Sequence, residues 1–186
     1  MHGHYLGQSN LQNPIILFRD GRDVTISMYY HYLFYNEKGN QVAVERTLPF
    51  FKNADLDDIR SNLPRFIELA SIGQIGPGFS WSDFVNRWTG KGHIEVRYED
   101  LRTQPEPELA RLCHGVTGQK PDASQIASAV AQFSFEAQSG RKIGEENSNS
   151  FMRKGIVGDW KNHFSEEAMS IFNHYHYEAM RKLGYE

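Results

Sequence analysis

The sequence predicts one α/β domain with three layers, in which helices cover both faces of a mostly parallel sheet. Two observations lead to this prediction. Short apolar segments rich in β-formers alternate along the chain with segments of helical apolar periodicity, which is the pattern of α/β proteins. The chain has 186 residues, 39% of them hydrophobic, enough for one buried core without disulfides or metals. We therefore expect residues 1–186 to form a single domain.

The first strand, loop and helix are predicted within residues 14–34. Residues 14–18 (PIILF) are an apolar run typical of a strand, and the apolar and aromatic residues 24–34 predict a helix. Asp20 is expected to cap this helix, with Asp23 three residues later as a carboxylate variant of the capping box. A tight loop therefore joins the carboxyl end of the strand to the helix.

Periodicity predicts the remaining elements. Apolar residues at helical spacing predict helices over residues 56–70, 81–88, 106–116 and 123–133, and alternation predicts a strand over residues 93–98. The clearest helix follows Ser165 as N-cap and ends before Gly184. Residues 140–158 are polar, contain several glycines and lack periodicity, so we interpret them as a long functional loop.

Composition and charge exclude several classes of function. The net charge of −3 and the pI of about 6.2 argue against a dedicated nucleic-acid-binding domain. The single cysteine, Cys113, excludes a disulfide framework. No apolar run approaches the roughly 20 residues of a membrane span, and the first residues lack a signal-peptide pattern, so we expect a cytoplasmic protein. His174 and His176 face different sides of a helix, and no metal site is expected.

Arg19 and Ser27 are the first candidate binding residues. Arg19 ends a strand that we expect to be parallel, and Ser27 follows eight residues later in the next helix. Ligands of open α/β sheets bind at this edge. A guanidinium, a hydroxyl and the free N–H groups of a helix N-terminus together suit a phosphate. The alternative is that Arg19 only pairs with Asp23 across the loop.

A second basic cluster lies in residues 151–164 (FMRKGIVGDWKNHF). Arg153 and Lys154 precede Gly155, which lacks a side chain and so allows close approach of the backbone to an anion. This composition favours a second phosphate contact. The alternative is a solvated basic loop.

Three stretches together resemble the cytosolic-type sulfotransferases. They are IILFRDGRDVTIS at residues 15–27, VRYEDL at residues 96–101 and FMRKGIVGDWKNHF at residues 151–164, and the last is highly specific. Trp81, Val85 and Trp88 also fall as in the family's helix before its Tyr-Glu-Asp strand. The resemblance implies a fold related to nucleotide kinases, and transfer of a sulfuryl group from 3′-phosphoadenosine 5′-phosphosulfate (PAPS) to an acceptor hydroxyl or amine.

The resemblance also implies roles for individual residues. Residues in contact with the 3′-phosphate of PAPS, and of the product 3′-phosphoadenosine 5′-phosphate (PAP), would be Arg19, Ser27, Arg153, Lys154 and Gly155. Residues lining the adenine and ribose would be Tyr98, Phe135 and Met152. Charge-assisted hydrogen bonds of roughly 1.5–3 kcal/mol each suit a phosphomonoester, and flat apolar side chains suit a base.

The family's catalytic base is a histidine shortly upstream of the Arg19 strand. Two residues qualify, His2 and His4, and we favour His4 on position. A neutral histidine, with a reference pKa of about 6.5, suits removal of a hydroxyl proton near neutral pH. The acceptor would be a small molecule, in a pocket shaped by residues 29–35, Phe50 and Phe51.

The sequence departs from the family in two places. The family's 5′-phosphosulfate loop, with its catalytic lysine, has no counterpart here, so we expect an N-terminally truncated copy, or a gene model that omits this part, and activity lower by orders of magnitude. This motivates an alternative function, a non-catalytic PAP- or PAPS-binding remnant or interaction module. Ser165, Glu166 and Ser170 replace the family's dimer motif, whereas the apolar surface left by a missing strand would favour a homo-oligomer.

Overall fold

The computed structural model describes residues 14–185, and its sheet within these residues has two strands. Strand β1 (Ile15–Phe18) pairs in parallel with β2 (Ile94–Arg97), so that Ile15 lies opposite Ile94. Parallel pairing of the two predicted strands is therefore confirmed. Nine α-helices complete the described part, which gives the helix-rich α/β architecture that the sequence predicts.

The helices lie close to their predicted positions. They are α1 (Gly21–Leu33), α2 (Gln41–Thr47), α3 (Ile59–Ser71), α4 (Trp81–Trp88), α5 (Tyr98–Thr103), α6 (Pro105–Thr117), α7 (Ala123–Gln132), α8 (Phe135–Ser139) and α9 (Glu166–Leu183), with 3₁₀ turns at Leu48–Phe51 and Asp159–Asn162. Helices α2, α5 and α8 were not expected. Tyr98, predicted as strand, begins α5, since Glu99 and Asp100 place acidic side chains in a first helical turn.

Helices contact both faces of the sheet. Ile16 and Phe18 are buried in a cluster with Val85 and Trp88 of α4 and Ala179 and Leu183 of α9. On the opposite face, α6 brings Gly115 close to Ile94. Ile15 and Leu17 on this second face stay 46% and 49% exposed. Helix α6 therefore lies against this face of the sheet at β2, whereas the same face of β1 stays exposed to solvent.

A larger core fixes the position of α1. Tyr29 of α1, Phe66 of α3 and Phe172 of α9 are fully buried and belong to one hydrophobic cluster. Trp81 of α4 packs against this cluster, and its indole N–H donates to the carbonyl of Arg19 at 3.2 Å. The core therefore fixes the turn between β1 and α1 through Trp81.

One histidine is buried where three helices meet. His176 of α9 is 4% exposed, and its Nδ1 and Nε2 lie 2.7 Å from Ser82 Oγ of α4 and 2.9 Å from Ser71 Oγ of α3. Burial lowers the pKa of His176 to about 4. The imidazole is therefore neutral near neutral pH and joins the three helices through its two ring nitrogens.

Candidate functional site

Arg19 lies directly after β1, at the carboxyl end of the sheet. Its guanidinium stacks on the Tyr98 ring, with 4.3 Å between the guanidinium carbon and the ring centroid, and donates to the carbonyl oxygen of Ile156 at 3.4 Å. It also lies 3.6 Å from the Asp23 carboxylate. Arg19 Nε is buried and has no hydrogen-bond partner among the described residues, so this arginine retains an unused donor.

Asp20 and Asp23 have separate roles, and the expectation of a capping box is wrong. Asp20 caps α1 by accepting from the Arg22 N–H at 2.9 Å. Asp23 is turned away from the Asp20 N–H and accepts from the backbone N–H groups of Gly158 at 2.7 Å and Trp160 at 3.0 Å. The Asp20 N–H donates instead to Glu99 at 3.0 Å. Asp23 therefore connects α1 to the C-terminal loop, which we define as residues 140–158, and to the turn after it.

Arg153 and Lys154 share two carboxylates. Arg153 donates to Asp159 and, at 2.6 Å, to Glu146. Lys154 Nζ lies 2.8 Å from Asp159 Oδ1 and 3.5 Å from Glu146 Oε2. Both cations are thus held by ion pairs beside the Arg19 segment, rather than solvated as the alternative interpretation required.

Asp159 is the buried centre of this network. Its side chain is 2% exposed and accepts hydrogen bonds from Lys154, Arg153 and Asn162, with His163 Nε2 at 3.3 Å. Burial alone would raise the pKa of Asp159, but these contacts outweigh it and hold the pKa well below the usual range. For Arg153, burial is likewise outweighed by Asp159 and Glu146, which raise its pKa above the usual value.

One face of α1 is turned toward the C-terminal loop. Asp23, Ser27 and Tyr30 are spaced by four and three residues, so they share this face. The Arg153 guanidinium carbon lies 4.3 Å from the centroid of the Tyr30 ring. Burial raises the pKa of Tyr30, and the neighbouring Glu146 carboxylate raises it further. Ser27 lies between these two contacts and is exposed, which leaves its hydroxyl accessible.

Gly155 is required by packing. Its φ is +67°, and a Cβ there would lie 2.4 Å from the ring of Phe135. Phe135 is 3% exposed, so its ring supports the backbone of Gly155 from behind. Met152 is half-buried, and its carbonyl accepts from Arg141.

Sequence reasoning missed three residues of the site. Arg141 donates to the carbonyl oxygens of Glu145 at 2.7 Å and Arg153 at 2.8 Å, and so braces the C-terminal loop. Glu146 and Asp159 are the other two. The available signal was an acidic residue on each side of a basic pair. His4 and His2 lie outside the described residues.

A cavity of about 510 Å³ lies beside the C-terminal half of α1. Its lining includes His31, Tyr32, Lys38 and Arg46. Tyr29 and Phe51, two residues expected to shape an acceptor pocket, are buried in the core instead. The segment after α1 also contacts the C-terminal loop, because Ser150 Oγ donates to Glu37 at 2.8 Å.

Between residues 14 and 185, no three His, Cys, Asp or Glu side chains are grouped to hold a metal ion. Over the same residues, every helix is too short or too polar to cross a membrane.

Comparison with known proteins gives one family. The family described as Sulfotransferase domain matches residues 5–184. Sulfotransferase 1E1 of Homo sapiens is 29% identical over 182 residues, covering 90% of this chain and 54% of the relative. Sulfotransferase 2B1 of Homo sapiens is 26% identical over 189 residues, covering 94% of this chain and 46% of the relative. The chain thus spans about half the length of these curated relatives.

Solved structures share the fold. The crystal structure of mouse sulfotransferase SULT7A1 complexed with PAP aligns with a TM-score of 0.62 at 21% identity, covering 90% of this chain and 58% of the other. Retinol dehydratase in complex with androsterone and inactive cofactor PAP aligns with a TM-score of 0.58 at 19% identity, covering 90% and 47%.

Proposed function

The chain belongs to the sulfotransferase domain family, and on this premise we propose that it binds PAPS and transfers the sulfuryl group to a small-molecule acceptor. The acceptor supplies a hydroxyl or amine, which attacks sulfur as the bond from sulfur to the bridging oxygen breaks. PAP is the product, and the acceptor's proton passes to a base.

One observation carries this proposal, the convergence of Arg19 with Arg153 and Lys154. The Arg19 guanidinium reaches the carbonyl of Ile156, two residues after Lys154. Asp23 holds the two segments together through Gly158 and Trp160. Arg19 thus lies just before α1, and Arg153 packs on Tyr30 of the same helix with Lys154 as its neighbour in sequence, a combination of cations suited to a phosphate.

The remaining donors support a contact with the 3′-phosphate. Arg19 Nε is buried and has no partner among residues 14–185, and the Ser27 hydroxyl is exposed on the same side of α1. In the proposal, Arg19, Ser27, Arg153, Lys154 and the N–H of Gly155 bind the 3′-phosphate. Tyr98, already stacked under Arg19, lies beside the adenine and ribose with Met152, and Phe135 fixes Gly155 from behind.

The test of binding is calorimetric titration with PAP and, separately, with adenosine 5′-phosphate. We expect PAP to bind with micromolar affinity and clear preference. Arg153→Ala should weaken PAP binding by about tenfold or more, because it removes a charge-assisted contact. Arg181→Ala is the matched control, since Arg181 on α9 is 63% exposed and pairs only weakly with Glu178 at 3.9 Å. Equal affinity for the two nucleotides would refute the 3′-phosphate site.

The test of catalysis concerns His4. In the proposal His4 removes the acceptor proton, so His4→Ala should abolish sulfuryl transfer and leave PAP affinity unchanged. His2→Ala is the matched control and should retain transfer. Transfer that survives in His4→Ala would exclude His4 as the base. PAP binding without any transfer by the unmodified chain would favour the alternative function, a non-catalytic nucleotide-binding module.

A further inference from the structure

Glu146 places a carboxylate directly on the basic residues of the site. Its Oε1 lies 2.6 Å from Arg153 and its Oε2 lies 3.5 Å from Lys154 Nζ. A guanidinium and an ammonium from adjacent residues therefore converge on one anionic group. We call the space between these two side chains the carboxylate position.

The two carboxylates of the network differ in how firmly they are held. Asp159 is 2% exposed and is additionally bound by Asn162 and His163, so it is part of the folded framework. The Glu146 side chain is 32% exposed and belongs to the C-terminal loop. Glu146 is therefore the carboxylate that another anion can replace.

The backbone around Glu146 permits this replacement. Gly144 N–H donates to the Lys154 carbonyl at 3.0 Å, and Asn147 N–H donates to the Arg153 carbonyl at 3.0 Å. These two bonds fix the chain on each side of Glu146. A rotation of its side chain alone then moves the carboxylate away, and Arg153 and Lys154 keep their positions through Asp159.

Charge balance gives this movement an electrostatic consequence. Four cations of the site, Arg19, Arg141, Arg153 and Lys154, face three carboxylates, Asp23, Asp159 and Glu146. The site carries one net positive charge while Glu146 is in place and two once it leaves. A phosphomonoester dianion is attracted more strongly to the second arrangement, because like charges at such short distances repel strongly.

We propose that Glu146 occupies the phosphate position in the ligand-free protein and sets the affinity for the nucleotide by competing with its 3′-phosphate for the carboxylate position. The inference rests on the proposed function, because that function assigns Arg153 and Lys154 to the 3′-phosphate. In this inference Glu146 opposes nucleotide binding, whereas the other residues assigned to the site promote it.

The experiment compares Glu146→Gln and Glu146→Ala with the unmodified chain by calorimetric titration with PAP and with inorganic phosphate. Both variants remove the competing charge, so we expect PAP affinity to rise by about tenfold, equivalent to about 1.4 kcal/mol. Glu145→Gln is the matched control. It removes the same charge one residue earlier, where the carboxylate accepts from the Lys142 N–H at 2.9 Å, and it should leave PAP affinity within about twofold.

The outcomes separate the two proposals. Tighter PAP binding in both Glu146 variants, with Glu145→Gln unchanged, supports the inference. If the unmodified chain binds PAP and the Glu146 variants bind it equally or less tightly, competition is excluded and the proposed function stands. If no variant binds PAP, the proposed function fails and the inference about nucleotide affinity fails with it; tighter phosphate binding by Glu146→Ala would then show only that Glu146 competes with an inorganic anion. Thermal unfolding verifies that each variant is folded.

Discussion

Gly155→Ala should disrupt both the stability of the C-terminal loop and binding at the site. The added methyl group would lie 2.4 Å from one ring carbon of Phe135 and 2.7 Å from two others. Phe135 is 3% exposed, so moving its ring would disturb the packing around it. Either the ring or the backbone must shift, and a backbone shift would displace the adjacent Arg153 and Lys154.

Two separate costs determine the magnitude. A φ of +67° is unfavourable for alanine by about 1–2 kcal/mol. Overpacking of a buried contact typically adds about 1–3 kcal/mol, so the total is about 2–5 kcal/mol. Gly140→Ala is the matched control, because Gly140 has a φ of +68° and a methyl group added there would meet no atom of the described residues within 4 Å. That variant should lose only the backbone contribution of about 1–2 kcal/mol.

Urea denaturation near neutral pH measures the free energy of unfolding of both variants, and PAP titration measures the site. If Gly155→Ala lowers the free energy of unfolding no more than Gly140→Ala does, the packing argument is refuted. Phe135→Ala in the Gly155→Ala background provides a second check. If overlap with the ring is the cause, the double variant should lose less free energy of unfolding than the two single variants lose in sum.

Two further predictions concern buried ionisable groups. Asp159→Asn should lower the free energy of unfolding by about 3–5 kcal/mol in urea denaturation, because it removes the buried partner of Arg153 and Lys154. A loss below about 1 kcal/mol would show that Glu146 alone suffices for these cations. For His176, the folded-state pKa of about 4 lies below the ordinary value of 6.5, so the unfolded chain binds the proton more readily. Stability from this residue is therefore full above pH 6.5 and falls by up to about 3 kcal/mol as pH decreases to 4, and His176→Gln should lose that slope in urea denaturation across this range.

Sequence reasoning located the elements whose signal is periodic. The spacing of apolar residues in α3, α4 and α9 reports which face of each helix is buried, so both position and orientation followed from it. In β1, by contrast, the continuous apolar run does not distinguish buried Ile16 and Phe18 from exposed Ile15 and Leu17. Helix α5 was missed because it follows β2 without an intervening residue, and its six residues are too few to establish a period.

The sequence predicted the three cations of the candidate site and the carboxylate of Asp23 beside Arg19, but not the carboxylates of Glu146 and Asp159. Arg19, Arg153 and Lys154 stand in segments whose composition favours phosphate, which made them visible. The partners of these cations depend on the path of the C-terminal loop. This path cannot be predicted from the spacing of apolar residues, because the loop has no such periodicity. Asp23 shows the limit clearly, since its spacing from Asp20 fits a capping box while its actual partners, Gly158 and Trp160, lie 135 and 137 residues away.

That distant attachment of Asp23 has a consequence for how the site forms. A single carboxylate joins the beginning of α1 to backbone N–H groups 135 and 137 residues away, so the candidate site is complete only when these two distant segments meet. The amide hydrogens of Gly158 and Trp160 consequently report on site assembly. Their exchange with solvent measures how often the two halves of the site separate while the rest of the domain stays folded.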